Sequence, residues 1–282
     1  MEKFHQKPNL YTDQVSLNVF NLEKAIQFYT EIIGFKVLEQ TDQKANLTTD
    51  GETTLLALKQ PKDVISKAGR TSGLYHFAIL LPTRADLSVF LHHIIKTGYP
   101  LGAADHHVSE ALYLTDPDGN GIEVYIDRPA IEWKWIDNKV HMVTDPLDGD
   151  GLLAESNAEW AGLPAKTIIG HIHLHVSDLK KAEEFYVNGL GFSIVSHYPQ
   201  AIFISTGHYH HHIALNTWQG VGAPKAPQNM VGLNWYTIVF PDENIREQTM
   251  ERLQKIGAAV SEEDGLFITK DPAGNHIHLV VK

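Results

Sequence analysis

The stretch "GHIHLHVSDLKKAEEFYVNGLGF", residues 170–192, carries the signals of a strand followed by a helix. In an extended chain successive side chains point to opposite faces, so His171, His173 and His175 share one face while Ile172, Leu174 and Val176 take the other. One face is therefore apolar and the other is imidazole. Ser177 or Asp178 suits a helix start, Leu179, Ala182, Phe185, Tyr186 and Leu190 fall on one helical face, and Gly191 suits the stop.

This unit has a counterpart earlier in the chain. Residues 178–192, "DLKKAEEFYVNGLGF", match "NLEKAIQFYTEIIGF" at 21–35, with Leu, Lys, Ala, Phe, Tyr, Gly and Phe identical, an offset of 157. "DPDGNGIEV" at 116–124 returns as "DPAGNHIHL" at 271–279, an offset of 155. Two motifs recurring at nearly one spacing identify a tandem duplication. Each half divides again, because strand-like openings occur at 14–20 (QVSLNVF), 74–82 (LYHFAILLP), 171–177 (HIHLHVS) and 234–241 (NWYTIVFP). Short β-like runs separated by turns such as "TDG", "DPDGNG" and "DPAGN" follow each helical stretch. The expected fold is α+β: four copies of a strand, a helix and several strands, with sheets curving around helices packed on their outer faces. The first half spans 1–128, with modules at 13–60 and 73–128; a linker spans 129–168; the second half spans 169–282, with modules at 169–218 and 232–282. In the linker, "DPLDGDG" reads as loop, and Trp133 and Trp135 read as packing residues.

Composition narrows the chemistry. The 282 residues hold 34 Asp plus Glu against 23 Lys plus Arg, a formal charge of −11 that opposes binding to nucleic acid or anionic membranes. No run of 18 apolar residues or signal-like start is seen, so a cytoplasmic protein is expected. There is no cysteine, which excludes disulfides and thiolate chemistry. A transition metal would have to be held by His, Asp, Glu, Gln or backbone groups, and 17 histidines supply the means.

The unit at 171–192 and the closing "LYLTDPDGNGIEVY" resemble the βαβββ modules of the vicinal oxygen chelate superfamily, which includes glyoxalases, antibiotic-resistance proteins and extradiol ring-cleaving dioxygenases. Four modules, with "YHFAILLP" and "GHIHLHVSDL", are similar to the Bacillus-type catechol-2,3-dioxygenases. The resemblance implies two tandem domains of that superfamily and a metal held by first-strand and last-strand residues of paired modules. The first-strand positions are Gln14, His76, His171 and Trp235; the last-strand position holds Glu123 in module two and His278 in module four. His76, Glu123 and His171 are thus the implied ligands, and they require modules two and three to share a cavity. Two imidazoles and one carboxylate on one face of an octahedral ion leave room for a chelating diol and dioxygen, as non-haem Fe(II) oxygenases need.

The same resemblance assigns further roles. In "YHHHIAL", the second of the paired histidines that would act on substrate corresponds to His212, the expected acid–base residue; Tyr113, ten residues before Glu123, would contact the bound diol. His106 or His107 would stand behind the site, while His173 and His175 would line the pocket or orient groups there. Each also has a plain structural reading: a hydrogen-bonded strand histidine, a polar strand edge at "HYHHH", a core tyrosine. The implied reaction opens catechol-type diols with O2 to semialdehydes, using Fe(II), with Mn(II) as the other ion this ligand set accepts. Small aromatic diols and O2 are the implied partners, and homo-oligomers are common in the superfamily.

Two other functions fit the same fold. A glyoxalase-type lyase or isomerase would use Gln14, His76 and Glu123 around Zn(II) or Ni(II), but "TLLALK" offers no acid for a fourth ligand. A non-catalytic binder of small molecules would explain the cup but not three aligned ligands. Modules one and four, with Gln14, Trp235 and His278, hold a poor set for a divalent ion, and their cup is expected to be structural.

Overall fold

The computed structural model describes residues 4–67 and 69–282. The chain forms two eight-stranded sheets, and each takes one module from each half. In one, the order runs Ser193–Tyr198, Ala201–Ser205, Ile213–Asn216, Ile168–His175, Gly73–Leu80, Gly121–Asp127, Ser109–Thr115, Gly102–Asp105. Modules two and three therefore share it, joined at its centre by their antiparallel opening strands, Gly73–Leu80 and Ile168–His175. Modules one and four build the other sheet in the same way, joined through Val15–Asn18 and Gly232–Phe240.

The alternation read from residues 171–176 governs the packing. Ile172, Leu174 and Val176 join Phe77, Ile79, Ile122 and Val124 in the apolar core. Helices Arg84–Thr97 and Glu243–Lys255 cover that core with Leu87, Phe90, Ile94 and Leu253. The opposite face carries His171, His173, Glu123 and Tyr125, leaving the polar residues of the sheet lining its concave side.

The duplicated motifs hold each other. Helix Leu22–Gln27 widens over Phe28–Ile33, and helix Leu179–Glu183 over Glu184–Gly189, before Gly34 and Gly191 turn the chain at φ +98° and +95°. In the widened turns the Tyr29 hydroxyl donates to Asp116 at 2.8 Å and the Tyr186 hydroxyl to Asp271 at 3.0 Å. The "FY" of one repeat element thus clamps the "DP" turn of the other. Because Tyr29 lies in module one and Asp116 in module two, this clamp also ties the sheets together.

Two irregularities in the central strand pair shape the cup. Register shifts at Gly170 and again opposite Tyr75, so Tyr75 lies beside His76 on the concave side. At Gly170 a Cβ would come within 1.9 Å of the Tyr125 hydroxyl oxygen. That hydroxyl is fixed by Tyr209 at 2.7 Å, and both rings are fully buried, so neither yields easily. Gly170→Ala should therefore lose about 1–3 kcal/mol of stability, read as a lower urea midpoint. An unchanged midpoint would show that Tyr125 can move aside.

The linker is more than a tether. It contains a short hairpin, Trp135–Ile136 with Lys139–Val140, and a helix, Gly149–Leu153. Trp133 packs with Phe4 and Tyr209, while Met142, Val143 and Thr144 form part of a cavity wall over the sheet of modules two and three. Among the described residues, no helix is long and apolar enough to cross a membrane.

Candidate metal centre

Strand register brings the three implied ligands together. On the middle strand Ala78 is flanked by His171 on one neighbour and Glu123 on the other, and its small side chain leaves room between them. His76 stands two residues earlier on the same face. His76 Nε2 lies 3.0 Å and His171 Nε2 3.1 Å from the same Glu123 oxygen, and the three ligand atoms all fall within 4.8 Å of one another. All three residues are buried.

These contacts suit a shared ion better than a structural ion pair. Although His76 Nε2 is close to the carboxylate, it makes no properly directed hydrogen bond and is buried without one. Such an orphan is costly unless something else satisfies it. Two ligand atoms at right angles, each about 2.1 Å from an ion, stand about 3.0 Å apart, matching the two spacings to Glu123.

Electrostatics prepares the donors. Burial alone would raise the Glu123 carboxyl, but the neighbouring His171 and His76 outweigh it and hold the group well below its ordinary range. Burial, only partly offset by Glu123, pulls His171 down to about 4. The site therefore combines an ionised carboxylate with an unprotonated His171 at neutral pH, the state a metal requires.

The other strand histidines have a different task. The Asn216 amide donates to His173 Nε2 at 2.8 Å, while its oxygen accepts from His175 Nδ1 at 2.7 Å. One imidazole of the three joins the ligand cluster, and the other two are held by Asn216. Tyr75 packs edge-on against His173 and Trp218, with ring centroids 4.8 and 5.3 Å away.

Tyr113 faces Glu123 across the hairpin of Ser109–Thr115 and Gly121–Asp127, which explains their ten-residue separation in sequence. His106 Nδ1–H donates to the Val143 carbonyl at 2.6 Å, leaving Nε2 to accept from the Tyr113 hydroxyl, also at 2.6 Å. Of the two histidines at 106 and 107, His106 is therefore the one bonded to Tyr113. His107, at φ +65°, turns outward to Asp145 at 2.9 Å. Burial and the Glu123 charge push the Tyr113 hydroxyl well above its ordinary range, so it stays protonated.

His212 occupies a different place from the expected one. Its Nε2–H donates to the Phe4 carbonyl at 3.0 Å, and its Nδ1 accepts from the Thr206 amide at 3.3 Å. Both nitrogens are thus used by backbone, and the ring is fully buried against Tyr209 and His5. The preceding His211 lines the cavity instead, its ring centroid 4.1 Å from that of His171. The chain bends at His212 before strand Ile213–Asn216 begins, so the alternation of that strand does not extend back to the pair.

The cavity has a volume of about 250 Å3. His76, Glu123, His211 and Tyr113 are among its polar lining residues; Val108, Met142, Phe203 and Trp218 are among its apolar walls. Gln14 precedes a strand of the other sheet, so the set Gln14, His76 and Glu123 is not assembled in one cup. In that other cup Trp235 stacks on His278 with centroids 4.2 Å apart. Among the described residues, His76, Glu123 and His171 form the one group of three or more such side chains close enough to hold a metal.

Comparison with known proteins adds independent findings. The family described as glyoxalase/bleomycin resistance protein/dioxygenase superfamily matches residues 12–124 and 168–279. A catechol-2,3-dioxygenase of Bacillus subtilis (strain 168) is 47% identical over 271 residues, 94% of this chain and 95% of that protein. A biphenyl-2,3-diol 1,2-dioxygenase of Rhodococcus globerulus is 33% identical over 117 residues, 40% of this chain and 62% of that protein. Glyoxalase I from Zea mays shares the fold, with a TM-score of 0.60 at 16% identity over 96% of this chain and 92% of that one.

Proposed function

This chain belongs to the glyoxalase/bleomycin resistance protein/dioxygenase superfamily and is a metal-dependent dioxygenase of the extradiol type; from that premise we propose that His76, Glu123 and His171 hold Fe(II) for the ring opening of catechol-type diols. The observation that carries the site is the convergence of two imidazoles and one carboxylate, of which His76 and Glu123 line an aromatic-walled cavity. Held by these three residues, Fe(II) would supply a binding point for a chelating diol and O2 and a route for electron density between them.

The protein groups do the rest. Tyr75, Phe203 and Trp218 present aromatic surface to the ring of the diol and exclude water from the ligand end. Tyr113, whose proton points to His106, offers its oxygen lone pair to a diol hydroxyl while the diol still carries a proton. His211 is the proton acceptor for the diol and returns that proton later in the cycle, because it lines the cavity with its ring against His171 and its Nδ1 bond to His210 leaves Nε2 for substrate. The role that the resemblance implied for His212 passes to its neighbour.

Two measurements test this reading. Protein purified without oxygen should contain about one iron per chain and, given catechol, consume one O2 per ring opened with appearance of a yellow product. Bound Zn or Ni without O2 uptake would overturn it. His211→Gln should retain the metal and lose on the order of 10²–10⁴-fold in kcat, the usual worth of a general acid–base group. Turnover at the normal rate in that variant would remove His211 from the mechanism.

A further inference from the structure

We propose that Asp127, acting through His210, fixes the tautomer of His211 so that its cavity-facing nitrogen carries a lone pair. The inference rests on the proposed role of His211 for its consequence, but the proton arrangement is a property of the protein itself.

Asp127 closes strand Gly121–Asp127, four residues beyond Glu123. Its Oδ1 receives two donors, His210 Nε2 at 2.8 Å and the Tyr209 hydroxyl at 3.1 Å. The Tyr209 oxygen in turn accepts from the Tyr125 hydroxyl at 2.7 Å. Each hydroxyl has one proton to give, and an ionised carboxylate only accepts, so the whole chain of bonds points toward Asp127.

The imidazoles follow the same count. In the proposed arrangement His210 carries a single ring proton, held on Nε2 by the carboxylate. His210 Nδ1 is then a bare acceptor. It lies 2.8 Å from His211 Nδ1, a contact that is a hydrogen bond only if His211 donates from Nδ1. His211 therefore carries its proton on the side away from the cavity, and Nε2 is bare. His210 is fully buried, so no solvent path competes for these bonds.

The arrangement has a chemical use. A base must meet the diol hydroxyl with a lone pair, and a His211 of the opposite tautomer would present an N–H there. Carboxylates that fix an imidazole in the useful tautomer contribute up to about four decades in turnover when they bond it directly. Here the effect passes through a second ring, and a loss of about 10–100-fold is expected on its removal, as for other groups that orient a working residue. Asp127 and His210 are positioning residues; neither needs to touch substrate.

The test reads the tautomer directly. Protein labelled with 15N-histidine and loaded with diamagnetic Zn(II) is examined by long-range 1H–15N correlation, with the His211 ring assigned by its loss in His211→Gln. In the unsubstituted protein His211 should be protonated on Nδ1 and bare on Nε2. Asp127→Asn keeps an oxygen acceptor for His210 and should keep that tautomer. Asp127→Leu removes the acceptor and should move the proton of His211 toward Nε2, with kcat of the iron enzyme falling about 10–100-fold while KM and iron content hold. An Nε2-protonated His211 in the unsubstituted protein, or Leu and Asn variants that behave alike, would overturn the proposal. Failure to cleave any catechol would instead count against the dioxygenase reading, because the tautomer is measured without turnover.

Discussion

A Glu123→Gln protein is expected to fold normally, lose its iron during purification and open no catechol ring. Glutamine matches glutamate in size, so the cup keeps its shape, but the site loses the one carboxylate among its three proposed ligands. Loss of a group that only orients a metal ligand costs about 10–100-fold in affinity, and loss of a charged donor is expected to cost at least that much. Metal content, O2 uptake and circular dichroism measured on one preparation decide the matter: stoichiometric iron with normal O2 uptake would take Glu123 off the ligand list. His171→Ala completes the comparison. It removes a ligand from the centre proposed here and would spare a site built from Gln14, His76 and Glu123.

Acid should unfold the metal-free protein well before it would unfold a chain without this cluster. Burial, reinforced by neighbouring imidazoles, holds His173 and His211 well below their ordinary range; His212 is lowered likewise by burial and nearby His5; His171 lies at about 4. A histidine lowered in the folded state binds its proton first in the unfolded chain. Stability is therefore complete above the ordinary histidine value of 6.5 and is lost as pH falls toward the lower folded values. Each such group contributes a slope of about 1.4 kcal/mol per pH unit within its window. From pH 7.5 to about 5.5 the four together should remove several kcal/mol, a large part of the 5–15 kcal/mol typical of a folded domain. Glu123, lowered in the folded state, adds a loss of the same sign at still lower pH. Urea midpoints across this range provide the check, and a flat profile would show that these rings are not buried in the neutral form. Zn(II) should reduce the loss, since it binds the folded, deprotonated ligands.

How far the site could be read in advance varied with the range of the interactions behind it. Tyr113 and Glu123 were legible because one hairpin places residues ten apart opposite each other. His106 and His107 could not be separated by spacing, since the choice depends on the Val143 carbonyl, 37 residues from His106. The surroundings of His212 are illegible in the sequence for a similar reason. Its nitrogens are taken by Thr206 and by Phe4, the latter 208 residues away, and no local pattern announces a contact with the start of the chain. The relay from His211 to Asp127 crosses 83 residues between His210 and the carboxylate and left no mark on either segment.

What the sequence by itself determined was the set of parts. Alternation along "GHIHLHV" separates an imidazole face from an apolar face, and the repeated "FY" and "DPxGN" motifs mark the modules, because these signals depend on side chains a few residues apart. Tertiary structure alone decided how the parts meet. Pairing of Gly73–Leu80 with Ile168–His175 brings Glu123 beside His171, the bend at His212 turns His211 into the cavity, and the linker supplies a wall. Those outcomes depend on backbone hydrogen bonds and packing between distant segments, whose relative free energies no single stretch of sequence contains.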